Sequence, residues 1–341
     1  MTLPTIGKVD RASFDRIIFP HLGKKDPSVI IGPQHGVDAG VVELPDGNVM
    51  VVKIDPTFCM PAMQNYMGWA IVHICASDIA CLGVKPRYMV ICLLLPSNTK
   101  DETLEQIWTQ VSDECEKLDI AIVGGHTGVF PGISMPLNGG CSVIGFGKKE
   151  QLTPASNARV GDKLIITKGA AIEAGGVLAM EGEKDLVRAL GRDIVEAGKK
   201  RFWEMTVVKD CMVAGPNAHA MHDATEGGLL NGVVEVAAAS NIGVTLYEDK
   251  IVIPEDCQAI CDYFEIDPLI SISEGTLVIA AAPEKAPKII ADLKENGIPA
   301  WEMGEFTGTD KVFVRKNGMR EELKPVSVDP FWSAFFKVMG G

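Results

Sequence analysis

Along residues 101–118 (DETLEQIWTQVSDECEKL) apolar side chains return every three or four positions. Leu104, Ile107, Trp108, Val111 and Cys115 then share one stripe, which predicts an amphipathic helix. Residues 229–239 (LLNGVVEVAAA) repeat the pattern, with Leu229, Leu230, Val233, Val234 and Ala237 on one face. Residues 64–82 are apolar almost all round and predict a buried helix; Tyr88 to Leu95 predicts a buried strand. Val41 and Val42 lead through Pro45-Asp46-Gly47 into Val49 to Ile54, two strands about a turn. A further strand, IAIV, runs into Gly124-Gly125-His126-Thr127. In the second half, Lys163 to Thr167 predicts a strand and Gly169 to Met180 a turn and helix. Ile270 to Ala281 predicts a strand approached through Glu274-Gly275, and Pro287 to Asn296 a helix. Helices and strands alternate, yet hairpin-like pairs also occur, so α+β with mixed sheets fits better than a purely parallel sheet. The turn-rich stretch Lys148 to Gly161 is the natural division, giving domains 1–152 and 153–341.

Composition narrows the class. With 47% hydrophobic and 23% charged residues the chain reads as a soluble globular protein long enough for two cores. A net charge of −13 argues against nucleic acid or an anionic membrane as partner, since both would be repelled. Any anionic ligand must be held by local loops, helix ends and metal ions. The start, MTLPTIGKVDRASFDR, becomes charged before an apolar leader can form, and the run Tyr88 to Pro96 is too short to span a bilayer. The expected location is the cytoplasm. Nine cysteines include no Cys-x-x-Cys pair, which argues against a zinc ribbon or thioredoxin-like site and for reduced, buried thiols. Cys59, in the loop DPTFCMP, lies beside a candidate site residue.

The candidate chemistry is anionic and glycine-rich. In Met221-His222-Asp223-Ala224-Thr225-Glu226-Gly227-Gly228-Leu229 a carboxylate and two glycines precede an apolar helix. Asp223 stands where a helix start favours a short acceptor, and Gly227 and Gly228 permit close approach of a phosphate to helix N–H groups. Ordinary helix capping accounts for the same residues. Asp38 (GVDAGV), Asp55 (KIDPTF) and Asp78 (ASDIACLG) recur at strand ends or loop starts, and Mg²⁺ prefers such oxygen ligands combined with substrate phosphates. Each alone fits a turn or cap; Asp78 fits least well, because its surroundings are apolar. His126 follows a predicted strand end and suits donation to a phosphate or substrate oxygen better than Mg²⁺ coordination. The stretch from Gly169 to Gly176, including Gly175, is neither a P-loop nor a dinucleotide fingerprint, yet could form an anion turn. Trp332, Phe335 and Phe336 stand at helical spacing, the pattern of a last helix docked on the core, with contact to a partner the second reading. The diglycine Gly340-Gly341 has no supporting signal for carrier chemistry.

In order, the segments GPQHGVDAGVV, VVKIDP, SDIACLGVKPRYMVICLLLP, IVGGHTGVFPGI, GDKLIITKGAAIEAGG, HDATEGGLLNGVVEVA and SEGTLVIAAAPE resemble the PurM-like superfamily of ATP-utilising enzymes. That group holds aminoimidazole ribonucleotide synthetase, the HypE maturation proteins, selenophosphate synthetase and thiamine-monophosphate kinase. The resemblance runs from about residue 32 to 283. It implies a two-domain α+β fold, with N-terminal domains forming a dimeric β-barrel and a C-terminal α/β sandwich domain. It further implies ATP and Mg²⁺ as cofactors in a cleft between domains, and attack by a substrate oxygen, or by selenide, on the γ-phosphate. By matching positions, Asp38, Asp55 and Asp78 would serve metal and phosphates. Gly124, Gly125, Thr127, Gly175, Gly227 and Gly228 would bind nucleotide, and His126, Asp223 and Glu274 would be catalytic. The expected partners are a homodimer mate and a small-molecule or protein-borne substrate.

The departures keep the reaction open. The last cysteine is Cys261, whereas HypE proteins carry substrate on a C-terminal cysteine, and Gly128 replaces the lysine they usually show. Gln34-His35-Gly36 stands where selenophosphate synthetases have Cys and Lys. GGHT and DATEGGL replace the GGDT and D-x-S-D-G-L of the thiamine-phosphate kinases. Phosphorylation of a carbonyl or amide oxygen is the leading expectation. A nucleotide-binding maturation or scaffold subunit without its own catalysis, and a thiamine-phosphate-type phosphotransferase, are the alternatives.

Overall fold

The computed structural model describes residues 7–58 and 64–339, so Cys59 and Gly340-Gly341 lie outside the described residues. After a short helix α1 (Arg11–Ile17), the first half builds a six-stranded sheet. Its strands are β1 (Val29–Ile31), β2 (Gly40–Glu43), β3 (Asn48–Phe58), β4 (Pro86–Leu95), β5 (Ala121–Val129) and β6 (Asn138–Lys148), in the order β1-β2-β3-β6-β4-β5. Helices α2 (Met67–Cys81) and α3 (Asp101–Lys117) cover one face. Alternate strand positions show why: Val49, Val51, Met89, Ile91, Leu93, Cys141 and Val143 point at these helices and are buried. The other face stays uncovered, with Ile54 at 66% exposure and Val90, Val123 and Phe146 also exposed. Within one chain this sheet is open.

The second half builds a seven-stranded sheet from β7 (Lys163–Thr167), β8 (Ala220–Ala224), β9 (Gly243–Tyr247), β10 (Thr276–Ala281), β11 (Ala300–Thr307), β12 (Lys311–Val314) and β13 (Arg320–Glu322). The order is β13-β12-β9-β11-β7-β10-β8, antiparallel except for β12 on β9. Helices α4 (Ile172–Glu181), α5 (Glu183–Leu190), α6 (Arg192–Arg201), α7 (Val208–Ala214), α8 (Gly228–Ala239), α9 (Glu255–Phe264), α10 (Ala286–Glu295) and α11 (Phe331–Met339) complete it. Ile165, Met221, Leu277 and Ile279 pack with the α4 and α7 side, while Leu164, Ile166, Val278 and Ala280 pack with α8. Both faces are therefore covered, and β7 and β10 read as nearly continuous apolar runs instead of alternating ones, while β8 is buried throughout yet carries His222 and Asp223. The two sheets are mixed α/β in the manner expected, and one core cluster carries α2 against α7 and β8.

Three sequence expectations are corrected. The β5 strand does not stop at Gly124; it runs through His126 and Thr127, parallel to β4, as far as Val129. Glycine is required there because a Cβ on Gly125 would collide with the Ile91 carbonyl of β4. Trp108 is 37% exposed and flanks the α3 stripe, leaving Ile107, Val111 and Cys115 as its buried residues. Asp223 is no helix cap. It belongs to β8, and α8 is capped by Gly227 in the left-handed region at φ 87°.

Candidate functional site

Between the halves lies a cavity of about 700 Å³ whose lining includes eight carboxylates against two lysines and one histidine. The first half supplies Asp38 from the loop before β2, Lys53 and Asp55 from β3, and Asp78 from the last turn of α2. Odd positions of β3 face α2, so Lys53 and Asp55 share the face toward which Asp78 projects. The second half supplies Glu173 from the first turn of α4, His222 and Asp223 from the end of β8, Glu235 from α8, and Glu274 just ahead of β10. The Asp38 loop seats on α8 because Gly36, at φ 71°, lies against Glu235 without a side chain.

Charge pairing is incomplete. Lys53 Nζ lies 2.9 Å from Asp78 Oδ1 and 3.4 Å from Asp55 Oδ1. Burial works against the Lys53 charge, but the carboxylates of Asp78 and Asp55 outweigh it and hold the ammonium well above its ordinary range. Burial pushes Asp78 well up, opposed by Lys53 and reinforced by Asp55 and Asp223. His222 bridges the halves: Nδ1 lies 2.6 Å from Asp38 Oδ1 and Nε2 2.9 Å from Glu235 Oε2. Burial alone would lower its pKa, yet the Asp38 and then the Glu235 carboxylates raise it well above 6.5. Glu274 donates its backbone N–H to Glu173 Oε2 at 3.1 Å. Burial pushes Glu173 to about 8, Asp223 to about 6 and Glu274 well above 4.5. Five buried carboxylate oxygens of the lining, on Asp38, Asp55, Asp223 (both) and Glu274, meet no hydrogen-bond donor. Leaving such an atom unpaired costs about 1–3 kcal/mol, more when charged, so five at one cavity mark a place for a cation.

The opposite wall is apolar. Phe331, Trp332, Phe335 and Phe336 of α11 face the cavity, and Trp332 Nε1 donates to Glu226 Oε1 at 3.2 Å. Asp329 anchors that helix: it accepts from Phe331 N at 2.9 Å and from Gly227 N at 2.6 Å. The Gly227 N–H that the sequence offers to a phosphate is thus engaged by an internal carboxylate. The rim is closed by the segment at Lys8, whose Nζ donates to Thr225 Oγ1 at 3.0 Å and whose N–H donates to Glu226.

The structure therefore brings Asp38, Asp55, Asp78, Asp223 and Glu274 together from both halves. It does not bring in Gly124, Gly125, His126 or Thr127. These lie exposed on β5, an edge strand; none lines the cavity, and His126 pairs in register with Cys92 on the uncovered face. Gly175 and Gly176 serve helix packing: a Cβ would meet Cys257 Sγ at 2.6 Å and Phe202 N at 2.6 Å. Sequence reasoning missed Lys53, Glu173, His222, Glu235 and Asp329. His222 was visible beside Asp223, but nothing in one sequence pairs it with Asp38, 184 positions away. Among the described residues every cysteine is free, Cys81 and Cys211 lying 3.8 Å apart in the core. No described helix is long and apolar enough to cross a membrane.

Residues 36–146 match the N-terminal domain, and residues 159–317 the C-terminal domain, of AIR synthase related proteins. A hydrogenase expression/formation protein of Methanocaldococcus jannaschii is 28% identical over 222 residues, 64% of this chain. That match spans 63% of the relative, so the chain covers less than two thirds of its length. Carbamoyl dehydratase HypE of Bradyrhizobium diazoefficiens is 28% identical over 252 residues, 73% of this chain and 71% of that one. Among solved structures, the chain resembles the hydrogenase maturation protein HypE in complex with ATP. The TM-score is 0.68 at 20% identity, covering 94% of this chain and 93% of that one, a likeness of fold.

Proposed function

The chain belongs to the AIR synthase related family, and from that premise we propose that it is a Mg·ATP-dependent enzyme that activates a carbonyl or amide oxygen by phosphorylation, releasing ADP and phosphate. The observation that carries this reading is the set of unpartnered carboxylate oxygens aimed into one interdomain cavity. Oxygen-only donors of this kind fit Mg²⁺, and Asp38, Asp55 and Asp78 would hold it. When bound, the metal neutralises the charge that develops on a transferring phosphoryl group. Lys53 stays protonated between Asp55 and Asp78 and orients both carboxylates. Glu274, whose pKa burial and then the Asp223 and Glu173 carboxylates push well above 4.5, is placed to exchange a proton with the substrate amide, while Asp223 completes the polar wall. His126 takes no part within one subunit. The acceptor is a small molecule or a protein-borne group; the apolar wall of α11 leaves room for either.

We further propose that the halves are separate domains meeting near residue 152, and that two copies associate through the uncovered face of the first sheet. Ile54, Val90, Val123 and Phe146 there present apolar surface that a second copy would bury into a barrel. The test of activity is calorimetric. Wild type binds ATP only with Mg²⁺, and Asp78→Asn lowers the affinity at least tenfold. Equal binding by the variant, or binding indifferent to Mg²⁺, sinks the proposal.

A further inference from the structure

We infer that the acceptor molecule carries a flat apolar ring and no carboxylate, and that Trp332 and Phe336 of α11 hold this ring. The inference rests on the proposed function for the phosphorylation itself and adds the substrate class. The two walls of the cavity differ in kind. One gathers Lys53 and Asp55 of β3, Asp78 of α2 and the end of β8; the other, α11, presents aromatic carbon and one indole N–H. Phe331 and Phe335 are 2% and 6% exposed and pack into the core, which fixes the helix. Trp332 is half-buried and Phe336 is 45% exposed, so both keep ring surface for a ligand.

The rings are ordered before anything binds. The Trp332 ring lies edge to face at 5.3 Å from Phe331 and 6.2 Å from Phe335, and Phe336 lies 5.8 Å from Phe335. The indole N–H is given to Glu226, and Asp329 ties the start of the helix to Gly227. A platform already fixed loses little side-chain entropy when it takes a ligand. What the platform lacks decides the ligand's chemistry. With the indole N–H committed, the four aromatic side chains offer no free donor or acceptor, and Val37, Ile74, Met135 and Ile272 add further apolar lining. A polar group laid on them gives up its hydrogen bonds to water without replacement. The purine of ATP, with nitrogen atoms along its edge, therefore matches this wall less well than a hydrocarbon ring. The excess of carboxylates over Lys8, Lys53 and His222 in the lining disfavours a carboxylate on that ring.

The test uses the full chain and reads the binding of benzamide, acetamide and 4-carbamoylbenzoate by saturation-transfer NMR. Each is titrated with and without Mg²⁺ and a non-hydrolysable ATP analogue. Benzamide is expected to bind about tenfold more tightly than the other two. Trp332→Leu and Phe336→Ala are each expected to cut that preference about threefold, with Mg·ATP affinity by calorimetry unchanged. Circular dichroism checks folding; if Trp332→Leu does not fold, Phe336→Ala decides, because the Phe336 side chain is exposed. Benzamide no tighter than either competitor, or a preference that neither substitution moves, overturns the inference. Loss of Mg·ATP affinity in the variants also overturns it, by assigning the wall to the purine. Mg·ATP binding absent from wild type while the benzamide preference persists overturns the proposed function alone, and the reverse overturns this inference alone.

Discussion

Replacing Glu173 by glutamine separates the cost of its buried charge from the hydrogen bond it makes. The side chain lies at the cavity floor, and its Oε2 accepts the backbone N–H of Glu274 at 3.1 Å. Burial raises its pKa from 4.5 to about 8, the Glu274 N–H opposing and Asp329 adding to the rise. A native state that keeps a proton the unfolded chain releases is most favoured below the unfolded pKa. It loses that advantage as pH rises toward the folded one. With these two values the loss is about 1.4 kcal/mol by pH ~5.5 and about 3.9 by pH ~7.5, a difference of about 2.5 kcal/mol. Water reaching the floor through the cavity mouth trims this to roughly 1–2 kcal/mol. Glutamine carries no charge and keeps an acceptor for the Glu274 N–H. Urea unfolding in the presence of a chelator should therefore show Glu173→Gln gaining on wild type by roughly 1–2 kcal/mol between these pH values. A gap that stays constant with pH, or a variant that loses ground as pH rises, refutes the assignment of a neutral, buried carboxyl.

Gly176→Ala drives a Cβ to 2.6 Å from the Phe202 nitrogen, backbone that cannot rotate away, and should cost about 1–3 kcal/mol in thermal or urea melts. Asp329→Ala leaves the Gly227 and Phe331 N–H groups without their acceptor; a loss of about 1–3 kcal/mol is expected, with early proteolysis near α11 as the local readout. Ile54→Lys puts a charge on the uncovered face of the first sheet. If the proposed dimer forms through this face, light scattering should show wild type at twice the mass of the variant, with an unchanged far-ultraviolet spectrum.

How legible the fold was depends on how each element is buried. The α3 stripe could be read because one side meets water and the other a core, so the 3.6-residue period is written in polarity. The α8 face could be read because its apolar positions return at the same period, although nearly all of it is covered. Of the strands covered by helices on both faces, β7 was read at its observed bounds and β10 inside a longer segment, because both are short apolar runs. In contrast β8, with His222 and Asp223 in its middle, shows neither a run nor an alternation and was not read as a strand. Residues 270–275 were read as the start of a strand because Ile270, Ser271, Ile272 and Ser273 alternate apolar and polar side chains. They turn instead at Gly275, whose φ is 98° and whose missing Cβ makes room for the Glu204 carbonyl. At β5, glycines taken for a strand end are interior strand positions, chosen by the approach of the Ile91 carbonyl, which no local pattern encodes.

The site divides along a similar line. Asp78 stood out because a carboxylate in an apolar string is costly unless something pairs with it. Asp38 and Asp55 stood out by their places at strand ends or loop starts, and Asp223 by the glycine turn that follows it; each argument needs only neighbours in sequence. What pairs with each is a tertiary fact. Lys53 reaches Asp78 from 25 positions away, His222 reaches Asp38 from 184, and Asp329 reaches Gly227 from 102. The last pairing changes the meaning of the glycine turn most. A free helix N-terminus attracts an anion, and in this chain the anion already there is the chain's own Asp329, which ties α11 and its aromatic wall to the turn. Under the proposed function, phosphate binding at the cleft then depends mainly on cations held by the carboxylates rather than on backbone donors. Removing the cation should accordingly abolish nucleotide binding, whereas Asp329→Ala should leave it largely intact.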